Sequence, residues 1–199
     1  MWERRIEMLN TRFFTILGIT LSAAAMRLLP HPPNMIPIAA MALFGGAYFA
    51  TRRTAFLAPL AAMYLSDLAL GFFIYDFGWF HWFMPFVYAS FALTVCLGFL
   101  IKHRLTPLRV GGAALMGSIL FFIVTNFGVW LVGNFYPKTL AGLVSCYVAA
   151  IPFFRSTLVG DAAYALVLFG GFALAQQYLP VLREGPVRMP ARVCLRQTR

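Results

Sequence analysis

Two aspartates lie inside strongly apolar runs, Asp67 near 54–74 and Asp161 near 156–179, where a carboxylate can carry a proton, hold a cation or pair with a basic group. Around them in sequence order stand Arg27 at the end of the first apolar run, Asn34 just after it, Asn126 and Trp130 in the fifth run, and Arg155 just before the sixth. An ionised side chain at mid-depth of a membrane helix costs about 2.5–3.5 kcal/mol on insertion scales, so such groups pair or face a wet cavity. Interfacial snorkelling is the plainer use for Arg27, Arg155, Asp76 and Lys138, and helix-to-helix ion pairing is the plainer use for the aspartates. Asn126 can equally bridge two helices. Taken together, Arg27, Asn34, Asp67, Asn126, Trp130, Arg155 and Asp161 are the candidate substrate-binding residues, gathered toward one side of the bilayer around a cavity open to the outside.

Other chemistries lack their groups. The chain has no G-x-S-x-G, no H-E-x-x-H and no Walker A sequence, so serine-nucleophile, zincin and nucleotide-hydrolysis mechanisms are excluded. Aspartic intramembrane proteolysis needs two carboxylates sharing a proton, and nothing around Asp67 and Asp161 demands it. His81 and His103 have no second histidine at ligand spacing, so no metal is expected, nor any other cofactor. Cys96, Cys146 and Cys194 show no redox or metal spacing and read as unpaired thiols.

The elements that must position these residues are membrane helices. Of 199 residues, 61% are hydrophobic and 11% charged, whereas a soluble domain carries charge on about a quarter of its positions. The fold class is therefore all-α, an integral membrane bundle, since long unalternating apolar runs suit helices and not a β-barrel. Six transmembrane helices are expected at about 13–29, 35–50, 54–74, 80–101, 110–133 and 156–179, in a single domain over 1–182. Arg27-Leu-Leu-Pro follows the first run in place of a small-residue cleavage site, so that run reads as a span and not as a secretory signal. The apolar stretch 139–154, ending in Ile151-Pro152-Phe153-Phe154, is expected as a re-entrant or interfacial helical segment before the last span.

Charge placement fixes the orientation. With both termini inside, the inner side receives the basic residues at 4, 5, 12, 52, 53, 102, 104 and 109 and those of the tail, while the outer side receives Arg27, Lys138 and Arg155. That is the positive-inside bias of a bacterial cytoplasmic (inner) membrane protein. The formal charge of +10 lies between apolar runs, so the expected partner is the lipid bilayer and not nucleic acid. Residues 183–199 read as a disordered basic cytoplasmic tail. Gly18 with Ser22, and Ala42 with Gly46, have the small-x-x-x-small spacing that lets helices approach closely, either within the bundle or at a docking face.

Several motifs carry a resemblance. Arg27-Leu-Leu-Pro-His-Pro-Pro-Asn34, Phe44-Gly45-Gly46, Ser66-Asp67, Thr125-Asn126-Phe127-Gly128-Val129-Trp130, Tyr136-Pro137 and Gly160-Asp161 resemble a family of uncharacterised small bacterial multi-pass membrane proteins. That family is distantly similar to the substrate-binding S components of energy-coupling-factor vitamin transporters. The resemblance implies a membrane-embedded small-molecule binding or uptake component with an outward pocket, working with a transmembrane coupling protein and ATPases. S components dock through alanine-x-x-x-alanine on the first helix, and this chain departs from it with Gly18 and Ser22. Two other classes stand beside this one: a structural scaffold that holds a partner without a ligand, and an intramembrane lipid-modifying enzyme using Asp67 and Asp161.

Overall fold

A computed structural model describes residues 2–30, 35–73 and 82–183, and every regular element among them is helical. The helices are α1 (Trp2–Ala25), α2 (Ile38–Tyr48), α3 (Arg52–Phe73), α4 (Met84–Ile101), α5 (Pro107–Val132), α6 (Leu140–Ala165) and α7 (Gly171–Tyr178). A π-helical segment, Leu166–Gly170, joins α6 to α7, and short 3-10 turns follow α1 and α7. Asn34, Asp76, His81 and the tail from 184 onward lie outside the described residues.

Four helices are long and apolar enough to cross a membrane: α3, α4, α5 and the continuous rod Leu140–Tyr178. The chain is a multi-pass membrane protein. Local sequence explains where these helices begin. Thr106 and Thr139 accept hydrogen bonds from the amides of Arg109 and Gly142, at 3.3 and 3.2 Å, and cap α5 and α6. Thr51 does the same for α3 through the amide of Thr54 at 3.2 Å.

The second apolar run behaves differently from expectation. Only Ile38–Tyr48 is helical, and 11 residues reach about 16 Å, roughly half the hydrocarbon thickness. All 11 are buried, because α2 is the axle of the bundle and touches α1, α3, α4, α5 and α6. A helix apolar on every side has no face to give to water or lipid, and this one gives none. Small residues allow the enclosure. A Cβ on Gly46 would lie 2.2 Å from the Val95 carbonyl oxygen and 2.9 Å from the Gly98 Cα, so α2 and α4 cross backbone to backbone. On its other side a Cβ on Gly45 would lie 2.4 Å from the Pro59 ring of α3.

Because α2 is short and buried, its backbone ends need partners from elsewhere. Its first residues have no side-chain cap from Pro37. The Asp161 carboxylate of α6 lies against the Ala40 amide instead. At the other end the Lys102 ammonium donates to the Phe49 carbonyl and, at 3.4 Å, to that of Ala50. A carboxyl group thus faces the positive end of α2 and a cation the negative end, an arrangement the helix dipole favours.

The stretch 139–154 is not a separate re-entrant segment. The helix continues through Pro152 to Tyr178, 39 residues or about 58 Å. Proline removes one backbone hydrogen bond, whereas ending the helix at that depth would strand several, so continuation is cheaper in lipid.

Candidate functional site

Asn34 lies outside the described residues, and the other six expected site residues do not meet in one cavity. Arg27 and Asp67 form a buried ion pair, Nη2 to Oδ1 at 2.6 Å, with each side chain more than nine-tenths buried. The Arg27 Nη1 group donates to the Ser66 hydroxyl and, at 3.3 Å, to the Met63 carbonyl. From α4 the Tyr88 hydroxyl donates to the second Asp67 oxygen at 2.7 Å. This network joins α1, α3 and α4, and of its polar atoms only Arg27 Nε is left buried without a partner. It lines none of the three cavities described below.

Trp130 closes the turn between α5 and α6. Its indole N–H donates to the Pro137 carbonyl at 3.0 Å, and Lys138 donates to the carbonyls of Trp130 and Gly133 with its ammonium 5.8 Å from the indole centre. Asn126 turns its amide back onto the Phe122 carbonyl at 2.8 Å. Arg155 is exposed on a flank of α6 away from Asp161. Among the docking candidates, Ala42 and Gly46 pack inside the bundle, while Gly18 and Ser22 are exposed and a Cβ on Gly18 would meet nothing within 4 Å. Intramolecular packing therefore accounts for the second pair and not the first.

Asp161 is the expected residue that lines the largest of the three cavities. It is 2% exposed, and the Ser118 hydroxyl of α5 donates to its Oδ2 at 2.6 Å. Below this contact α5 and the rod diverge, leaving a cleft of about 540 Å³. Such a volume lies within the roughly 300–1,000 Å³ of small-molecule sites. On the α5 wall stand Pro107, Val110, Gly111, Ala114 and Leu115, on the rod wall Leu158, Ala162, Ala165, Leu166 and Phe169, and Tyr48 of α2 closes the back. The walls are thin because Gly111, Ala114, Ala162, Ala165 and Gly170 carry little or no side chain. Polar groups sit at the two ends, Ser118 and Asp161 at one and Thr106 at the other.

The π-helical segment belongs to this site. Its wider turn brings Leu166, Phe169 and Gly170 to the cleft wall, and π insertions in helices concentrate at functional sites. Phe169 and Phe172 hold the segment against α2, with ring centroids 5.5 and 5.6 Å from Phe44 and 5.6 and 4.5 Å from Tyr48. Beyond Asp161, toward the Trp130 end, two smaller cavities follow. One of about 40 Å³ touches Asp161, Thr157 and Phe121, and one of about 150 Å³ touches Phe121, Thr157, Thr125 and Asn126.

Comparison with known families places the chain. Residues 7–182 match a family described as a family of unknown function, DUF6580. The chain belongs to that family. No curated protein and no solved structure matches it. The resemblance to an uncharacterised membrane family is thereby established, and similarity to S components is not shown.

Several residues of the site were not singled out from sequence. Ser118 and Thr157 sit in apolar runs with no motif around them, and Gly111 and Gly170 are two glycines among 16. A hydroxyl in an apolar run that also lacks a neighbouring carboxylate was the available signal for Ser118.

Proposed function

We propose that this protein is a membrane-embedded binding component for a small, largely apolar ligand, which occupies the cleft between α5 and the rod. The supporting observation is the cleft itself: an apolar chamber of about 540 Å³ that ends on a buried carboxylate and hydroxyl, Asp161 and Ser118. Apolar walls supply the affinity, and the two convergent polar groups orient the ligand. Uptake of a small molecule, in the manner implied by S components, remains the transport reading of such a site. The chain has no nucleotide-hydrolysing sequence, so active uptake would draw on a coupling protein and ATPases or on an ion gradient.

In this reading the chain crosses a bacterial inner membrane six times, with both termini in the cytoplasm. The crossing between α1 and α3 includes the half-length α2. Arg52, Arg53, Lys102, Arg104 and Arg109 all lie toward the end of the cleft that Thr106 and Pro107 line. The positive-inside bias therefore turns that end to the cytoplasm, whereas the sequence alone pointed to an opening on the outer side.

Single cysteines test the geometry. With Cys96, Cys146 and Cys194 replaced by serine, Gly111→Cys or Ala162→Cys reacts with a membrane-impermeant maleimide added to inside-out vesicles and not to right-side-out cells. Equal labelling from both sides, or labelling from outside alone, would overturn the orientation.

A further inference from the structure

We propose that Asp161 is the proton-carrying residue of a path along the seam between α5 and α6, linking the cleft to the opposite face. The three cavities of the seam share their walls in sequence. Asp161 belongs to both the cleft and the 40 Å³ cavity, and Phe121 and Thr157 belong to both the 40 Å³ and the 150 Å³ cavities. Along α5 the series runs from Thr106 at one end of the cleft to Asn126 in the far cavity, about 30 Å and thus the hydrocarbon thickness.

The intervening groups suit a proton and little else. A cavity needs roughly 10–15 Å³ of this measure for one water, so about 40 Å³ admits a water and excludes the cleft's ligand. Thr157 donates to the Phe153 carbonyl at 3.1 Å, and Thr125 to that of Phe121 at 2.7 Å, leaving each hydroxyl oxygen as an acceptor. With the Asn126 amide they give small polar relay points between aromatic rings. Tyr48 and Asp161 are the titratable side chains that line the three cavities, one from α2 and one from α6, and α5 contributes Ser118 and Thr125. No cationic side chain among the described residues pairs with Asp161, whereas Asp67 has Arg27.

The step is a simple transfer. A hydronium in the small cavity gives up one proton, an O–H bond forms on the Asp161 carboxylate, and water remains. Release runs in reverse toward the cleft. A neutral Asp161 presents a donor to the cleft and a charged one presents only acceptors, so the ligand that fits changes with the proton. This goes beyond ligand binding as such, since it assigns the cleft an energy source that the chain can use without nucleotide.

Infrared difference spectroscopy of the full chain in phosphatidylcholine vesicles, in the carboxylic-acid C=O region, tests it. When mildly alkaline buffer is exchanged for mildly acidic buffer, the wild type should gain an acid band, which Asp161→Asn loses and Asp161→Glu shifts. Thr157→Val should slow its rise by about tenfold, the rate equivalent of about 1.4 kcal/mol. Gly18→Leu, on the exposed face of α1 away from the cleft, should leave the rise unchanged. An absent band in the wild type overturns the proposal, as does a band whose rate ignores Thr157→Val. Either failure leaves ligand binding in the cleft standing, because Gly111→Phe, which fills the cleft, tests that separately.

Discussion

Asp67→Ala should destabilise the bundle strongly, and replacing both partners, Arg27→Leu with Asp67→Leu, should avoid most of the loss. The carboxylate holds Arg27 at 2.6 Å and accepts from Tyr88 at 2.7 Å, and both ionic partners are buried. Removing it strands a cation whose remaining bonds go to the Ser66 hydroxyl and the Met63 carbonyl, neither of which carries charge. Breaking a buried pair from one side costs about 3–5 kcal/mol, whereas replacing both partners by apolar groups is often neutral. The orphaned Tyr88 hydroxyl adds about 1–3 kcal/mol that does not sum fully, since the network can rearrange. Reversible denaturant unfolding in bicelles, followed by tryptophan fluorescence, gives the free energies. The expected result is a loss of about 3–5 kcal/mol for Asp67→Ala and of about 1–2 kcal/mol for Arg27→Leu with Asp67→Leu. If the double variant were as unstable as the single one, uncompensated charge would not be the cause. If Asp67→Ala cost under about 1 kcal/mol, the network would not hold the helices together.

The same unfolding assay separates the two glycine pairs: Gly46→Leu, whose Cβ would sit 2.2 Å from the Val95 carbonyl oxygen, should abolish the folded monomer, while Gly18→Leu should leave stability unchanged. Lys102→Met removes the cation from the C-terminal carbonyls of α2 and should cost about 0.3–2 kcal/mol. Ser118→Ala takes away the hydroxyl donor of Asp161 and should cost about 1–3 kcal/mol, with thermal unfolding as a second readout. Trp130→Phe keeps the ring and loses the bond to Pro137, so proteolysis in the turn at 133–139 should quicken while global stability falls by no more than about 1.5 kcal/mol.

Much of this architecture was legible in the residues. Runs of apolar sequence marked the helices, whereas the threonines that cap three of them, Thr51, Thr106 and Thr139, were not singled out. The family resemblance was carried by motifs such as Ser66-Asp67 and Gly160-Asp161, which in the structure take part in polar contacts that join helices. The half-length α2 was not legible as such, because the apolar run 35–50 has the composition of a short span. Its all-round apolarity, with Ala39, Ala40, Ala42, Gly45, Gly46 and Ala47, was the sign that it is enclosed. Depth misled the site prediction. Counting from the start of a separate last span put Asp161 one turn inside the outer face, but the rod begins at Leu140 and carries Asp161 to the middle of α5, opposite Ser118. Arg27 and Asp67 were read as candidate binding residues, with ion pairing between helices as the plainer use of the aspartate, and they prove to pair with each other; which helix faces which is a tertiary fact that no single run contains.

The occupancy of the cleft decides the account. Native mass spectrometry of the protein released gently from its own membrane, wild type beside Gly111→Phe, measures it directly. A Cβ at Gly111 meets nothing within 4 Å, so the phenylalanine fills the cleft without straining the fold. The account predicts a small-molecule adduct on the wild type that Gly111→Phe loses while remaining folded and monodisperse. A wild type without any adduct, or an adduct equally retained by Gly111→Phe, would contradict it.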